Sequence, residues 1–328
     1  MAEKPTTIRQ LVDSWTRKSG DHLGLLGKLD LLALLNDELY SQYQPFAVTP
    51  DYMDRLFSWI NGASSIRDKK LMFELAFWLL FVGEEEMKSL YQSSFTDIIT
   101  RWVIDQVGIN ITTNNAGDLI DRAMKETFFG SIAGMDMGTY CRTNGIQGQS
   151  FRPDFREHSR LGDPNCFRKY LKANGYKRIV AVEDYVGTGT QMKEACQYLS
   201  QLCNYPILLC PILIAPDGVK VGNQLAKTHS QLTFEPLFPL PAEAAVPAIS
   251  PNSSREPRFL LKLRRTLTRL WVHVQGHNPT QQLYGPFGFG GTGSLLLTYL
   301  NCPDNVPPII HHKSDTWEPL FRRASREG

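Results

Sequence analysis

Along roughly the first third of the chain, apolar residues recur every three or four positions between charged ones, the spacing of helices with one buried face. "KLDLLALLNDELYSQY" sets Leu31, Leu32, Leu34, Leu35 and Leu39 on one broad face. "VTPDYMDRLFSWI" opens with Thr49 as an expected N-cap and Pro50 at the first helical position. "LMFELAFWLLFV", Leu71 to Val82, is the longest apolar run and reads as a buried helix stopped by Gly83. It falls short of the roughly 20 residues that span a bilayer. "EEEMKSLYQSSFTDIITRWVIDQVG" and "GDLIDRAMKETFF" continue the helical pattern. A helical N-terminal domain over residues 1–125 is predicted.

The period changes after "LGDPN". A helix, "CFRKYLKANGY", leads to the apolar strand "RIVAVE", the loop "DYVGTGT", the helix "QMKEACQYLSQL" and the strand "PILLCPILIA". A helix near "DGVKVGNQLAKTH" and a short strand "QLTFEPLF" follow. Near-continuous apolar strands alternating with helices predict a parallel sheet covered on both faces. The fold class is therefore α/β over residues 126–328. That span includes a Pro-rich loop, Pro236 to Pro257, and a C-terminal extension that begins with the basic helix "RFLLKLRRTLTRLW".

Composition narrows the functional classes. The 328 residues are 42% hydrophobic and 21% charged, as in a globular chain able to bury a core. A net charge of +2 argues against a generally nucleic-acid-coating protein, so any basic patch has to be local. Cys141, Cys166, Cys196, Cys203, Cys210 and Cys302 show no CxxC and no paired Cys/His spacing, which disfavours a structural zinc site and a disulfide scaffold. The N-terminus "MAEKPTTIRQLVDSW" lacks a signal-peptide core. A cytoplasmic protein with no membrane span is expected.

Candidate chemistry concentrates in "RIVAVEDYVGTGTQM", Arg178 to Met192. In an open α/β sheet ligands sit beyond the carboxyl ends of the strands. Backbone N–H groups of Gly187, Thr188, Gly189, Thr190 and Gln191, at the start of the next helix, make an anion site that Thr188 and Thr190 reinforce with hydroxyls. The upstream carboxylates, Glu183 and Asp184, would repel a phosphate held there unless a sugar lay between. A ribose 5-phosphate satisfies both, with its phosphate in the loop and its 2′- and 3′-hydroxyls donating to the acids.

"VAVEDYVGTGTQM" resembles the phosphoribosyl-pyrophosphate (PRPP) motif of type I phosphoribosyltransferases. Glu183 and Asp184 match the acidic pair, Tyr185 and Val186 the apolar positions, and Thr188 and Gly189 the Thr-Gly. The resemblance extends in strand-helix order over Phe128 to Leu240. It implies a phosphoribosyltransferase-like fold, a phosphorylated ribose ligand, Glu183 and Asp184 as catalytic residues, and Mg²⁺ accompanying PRPP. Gly187 departs from the hypoxanthine-guanine type, which carries an acid there, so no base-activating carboxylate acts from that position. Gln191 replaces the closing hydroxyl residue, with Thr190 one place earlier. "FFGSIAGMDMGTYCRTNGI" lies where the family carries its pyrophosphate loop, and offers Asp136 and Arg142 as pocket residues. "GFGGTGSLLLTYLNCPDNVPP" with "WEPLF" resembles a subgroup from bacterial conflict and phage-defence systems, which implies an antiviral role.

Other readings stay open. The acid-rich turn is alternatively an ordinary strand-to-helix connection, Asp136 a turn acid and Arg142 a surface base. A nucleotide-sensing regulator without turnover would keep the same loop, and the N-terminal helical region would couple it to a partner protein. "GFGGTGS" lacks the Lys of a Walker loop and reads as a turn into a strand. Arg258, Lys262, Arg265 and Arg269 share a helical face that is either solvated or a nucleic-acid contact. His311 and His312 have no ligand partner at metal spacing.

Overall fold

The computed structural model describes residues 6–19, 22–46, 51–146, 163–202, 204–250, 256–277 and 284–324. The chain forms two compact units, one from residues 1–84 together with 243–328, the other from 85–242. The sequence boundary at 125/126 thus falls inside the second unit, and the C-terminal extension belongs with the first helices. No helix among the described residues is long and apolar enough to cross a membrane.

The first unit contains α1 (Ile8–Ser19), α2 (His22–Glu38), α3 (Tyr52–Asn61), α4 (Ile66–Leu75) and strand β1 (Leu80–Val82). The second begins with α5 (Glu84–Ser93), a π-helical turn Ser94–Ile99, α6 (Thr100–Val107) and α7 (Ala116–Lys125). Its sheet then follows as β2 (Thr127–Ser131), α8 (Met137–Thr143), α9 (Pro164–Ala173), β3 (Arg178–Val186), α10 (Thr190–Leu199), β4 (Ile207–Ile214), α11 (Pro216–Thr228), β5 (Leu232–Phe234) and β6 (Phe238–Pro239). The chain returns to the first unit with α12 (Arg258–Gln275), β7 (Leu296–Thr298) and α13 (Pro308–His311).

The first unit is closed by its distant ends. Trp59 and Trp317 both donate their indole N–H to the Ile309 carbonyl, at 2.7 and 2.9 Å, and Arg55 Nε donates to the Leu320 carbonyl. The apolar run Leu71 to Val82 is not one helix. Helix α4 stops at Leu75, and β1 pairs in parallel with β7. An unbroken apolar stretch carries no period, so only the partner strand decides its conformation. Asp51, whose carboxylate accepts from Met53 N, caps α3; Thr49 and Pro50 lie outside the described residues. The α2 face is narrower than its leucines suggest, with Leu32 fully buried and Leu31 and Leu34 46% and 55% exposed.

In the second unit β2, β3, β4 and β5 lie side by side in chain order, all parallel, and β6 continues the β5 edge along β4. Right-handed crossovers between consecutive neighbours put their helices on one face. Phe128, Ile179, Ala181, Ile207 and Leu209 there pack with Phe167, Leu171, Met192, Leu199 and Leu225 from α9, α10 and α11. The opposite face is covered from earlier in the chain. Phe95 of the π-turn meets Phe129 at 6.1 Å, Ser94 and Tyr140 share a 2.9 Å hydrogen bond, and Trp102 Nε1 donates to Thr233 Oγ1. Helices α5 and α6, joined by Tyr140 of the short helix α8, are therefore the second cover of the sheet.

Pro211 sits in the middle of β4, where a ladder bond would normally be lost. Its carbonyl accepts from Leu237 N at 2.9 Å, so its missing N–H faces the same edge, in the gap between the end of β5 and the start of β6. The interruption of the edge strand accommodates the proline.

Burial separates the α2 leucines in a measurable way. Leu32→Ala is expected to cost about 2–5 kcal/mol, and Leu34→Ala to stay within about 0.5 kcal/mol, as read by urea unfolding. Equal losses would contradict the observed face.

Candidate functional site

Strand β2 ends opposite Val182, whereas β3 continues to Val186 beside β4. The segment leaving β2 therefore turns across the level of Glu183. Ser131 Oγ donates to Glu183 Oε2 at 3.2 Å, and Ala133 N donates to the same oxygen at 2.5 Å. Ser131 Oγ in turn accepts from Gly134 N and Met135 N at 2.7 and 2.8 Å. One hydroxyl thus organises the whole turn. Gly134, at φ 114°, supplies a left-handed residue that the turn needs.

Glu183 is only 6% exposed. Burial holds its carboxyl well above the ordinary 4.5, and the neighbouring Asp184 charge pushes the same way, against the smaller opposing pull of the Ala133 and Ser131 hydrogen bonds. Asp184 is half-buried, with Oδ1 accepting from Tyr185 N at 2.7 Å. The two acids therefore differ: one is buried, tied to the β2 turn and held well above the usual carboxylate range, the other half-buried. Tyr185 stays within β3 in register with Leu213, so Asp184 to Val186 are strand, not the loop read from the sequence.

Gly187, Thr188 and Gly189 make the turn into α10, whose first residues are Thr190 and Gln191. Gly189 occupies the N-cap position at φ 79°, and no side chain caps the helix. Thr190 N donates to Thr188 Oγ1 at 3.3 Å, and the Gln191 and Met192 amides are left to an external acceptor, as an anion site requires. Thr188 Oγ1 and Thr190 Oγ1 lie 2.9 Å apart, on the same turn. Helix α11 presses on this turn from behind. A Cβ on Gly189 would come within 2.9 Å of Val221, and one on Gly218 within 3.0 Å of the Gly187 carbonyl. Glycine at both positions permits the close approach.

Asp136 caps α8 through Thr139 N at 3.1 Å and Thr139 Oγ1 at 2.5 Å, while Arg142 Nη2 donates to the same Thr139 hydroxyl at 2.8 Å. Burial raises the Asp136 carboxyl, but the Thr139 hydrogen bonds and the Arg142 charge outweigh it and hold the group below its usual value. Arg142 itself is exposed. Both residues lie on the segment that follows β2, beyond the turn that Glu183 anchors.

Sequence reasoning did not single out Ser131, or Gly218 and Val221 on α11. The small residues in "GSIAGMDMG" are the trace of the turn, but a serine accepting two backbone amides leaves no pattern of its own. His312 is buried and His311 half-buried; His311 Nε2–H donates to the Val306 carbonyl, and desolvation lowers its pKa to about 4. Among the described residues no three His, Cys, Asp or Glu side chains gather at metal-binding distance.

A family model described as PRTase-CE matches residues 57–323. No curated protein and no solved structure matches the chain.

The raised Glu183 pKa fixes the sign of a pH effect. The native state holds a proton that the unfolded state releases above about 4.3, so this group's stabilising contribution is present below that value and is lost as pH rises through the folded pKa. Glu183→Gln, which keeps the hydrogen-bonding oxygen, is expected to flatten the fall of melting temperature between acid and alkaline pH. An unchanged slope would contradict a buried, protonated Glu183.

Proposed function

The chain belongs to the PRTase-CE family, a phosphoribosyltransferase-type family, and on that premise we propose that it binds PRPP, or another ribose 5-phosphate, at the turn between β3 and α10. The end of α10 is the observation that carries this reading: Gln191 and Met192 amides that no side chain caps, two hydroxyls on the same turn, one of which accepts from Thr190 N, and an acid on the strand just before it. The 5-phosphate rests on Thr188 to Gln191. Asp184 accepts the ribose hydroxyls. Glu183 holds the turn after β2 through Ser131 and Ala133.

Transfer breaks the bond from ribose C1 to the pyrophosphate oxygen, whose electron pair leaves with pyrophosphate, while an acceptor nucleophile bonds to C1. The Asp184 carboxylate favours the cation that develops at the ribose ring. The exposed Arg142 takes the charge that develops on pyrophosphate. The donor set suits Mg²⁺ carried on the ligand: a hard cation that keeps several waters needs one or two carboxylates, and Asp184 offers one without a protein cage. When bound, the metal would neutralise pyrophosphate charge. Transfer or hydrolysis of the ribosyl-phosphate bond, with a role in antiviral defence, is the function we assign.

A sensing role without turnover is the second reading, favoured by the commitment of Glu183 Oε2 to the β2 turn. There the turn would report ligand occupancy to a partner protein.

Calorimetric titration of PRPP with Mg²⁺ tests the site. Wild type is expected to bind, and Glu183→Ala/Asp184→Ala to lose at least about tenfold in affinity, about 1.4 kcal/mol. Pyrophosphate release in the presence of candidate acceptors separates transfer from sensing. No binding by folded wild type would overturn the PRPP reading.

A further inference from the structure

The first unit carries a groove of about 570 Å³ between α4 and α12, lined by Arg67, Lys70, Leu71, Glu74, Phe259 and Lys262 among others. Its one acid is already neutralised, since Lys28 Nζ donates to both Glu74 oxygens at 2.7 Å. Among the described residues, Arg67, Lys70 and Lys262 are paired with no carboxylate. The groove is therefore cationic along its walls and apolar at Leu71 and Phe259. Phe259 is half-buried and stacks on Trp78, with ring centroids 4.8 Å apart and planes 15° from parallel. Trp78 does not line the groove, so it backs the Phe259 ring and fixes its orientation.

The basic helix divides its cations. Arg264 is bound to Glu256 and to the Pro247 carbonyl, and Arg269 to the buried Asp68, so both serve the fold of this unit. Arg258, Lys262 and Arg265 remain exposed, at a spacing that keeps them on one side of α12. From Arg258 to Arg265 the row runs about 10 Å along the helix axis. A single phosphate group would not need such a row, whereas a phosphodiester chain would.

We propose that this groove binds single-stranded nucleic acid, with a base stacked on Phe259 and successive phosphates on Lys262, Arg67 and the neighbouring row. A cationic track beside an aromatic platform is the arrangement that accepts unpaired bases without regard to sequence. An acidic peptide would use the cations but has no need of the Phe259–Trp78 stack. The site lies in a different unit from the β3–α10 turn, and its test is independent of PRPP.

Fluorescence anisotropy of the full chain with labelled oligothymidylate and oligouridylate of about 12 nucleotides is the experiment. Wild type is expected to bind with an affinity that falls steeply between about 50 and 200 mM salt, and each phosphate contact removed should reduce the log-log slope by about 0.7. Arg67→Glu/Lys262→Glu is expected to weaken binding by at least about tenfold. Phe259→Leu, which keeps an apolar contact with Trp78, should weaken it by about tenfold with an unchanged salt slope. Lys262→Gln, an exposed and conservative change, keeps the test valid if the double variant does not fold. A preference between the DNA and RNA strands identifies the source. No binding by folded wild type, full binding by the variants, or equal competition by polyglutamate would overturn the proposal.

Discussion

The carboxyl of Glu183, buried where β3 outruns β2, is the constraint on which the candidate site depends. Its Oε2 accepts from Ser131 and Ala133, and Ser131 accepts from the next two amides, so strand β3 and the turn leaving β2 are one hydrogen-bonded piece. A buried carboxyl without these donors would be costly, and as a charge more so. A raised pKa and the Ser131 and Ala133 hydrogen bonds together make it tolerable. The cost is offset locally, and Asp184 beside it is left as the more accessible acid.

The second requirement is a helix end whose Gln191 and Met192 amides take no side-chain cap. Asp51, Ser65, Asp136 and Asp163 cap α3, α4, α8 and α9 with side-chain oxygens, whereas α10, like α11 and α12, has no side-chain bond from its N-cap residue, and only the Thr188 hydroxyl reaches its first amide. A serine or aspartate at position 189 would serve the helix better in isolation. Glycine there accommodates both φ 79° and the approach of Val221. The turn is thus shaped by α11 from one side, and the amides face whatever acceptor the site receives.

Much of this was legible in the residues. The apolar runs of β3 and β4, the acids at the strand end and the Gly-Thr turn gave the parallel α/β fold and the PRTase-like family, which a match over residues 57–323 bears out. Other features were not, for physical reasons. Leu71 to Val82 hides the break between α4 and β1 because a fully apolar run has no period. The second cover of the sheet was hidden because amphipathic helices do not announce the surface they will meet, and α5 and α6 read like their N-terminal neighbours. The different fates of Glu183 and Asp184 depend on where β2 stops, which is a matter of register. Likewise Arg264 and Arg269 look identical in sequence to the exposed cations beside them, and only Glu256 and Asp68 distinguish them.

Amide hydrogen exchange with and without ribose 5-phosphate tests the central claim most directly. The account predicts slowed exchange at the leading amides of α10, Thr190 to Met192, while Ala133 to Met135 are already protected before ligand is added. Fast exchange at Ala133 to Met135 in the free protein, or no change at Thr190 to Met192 under saturating ligand, would contradict it.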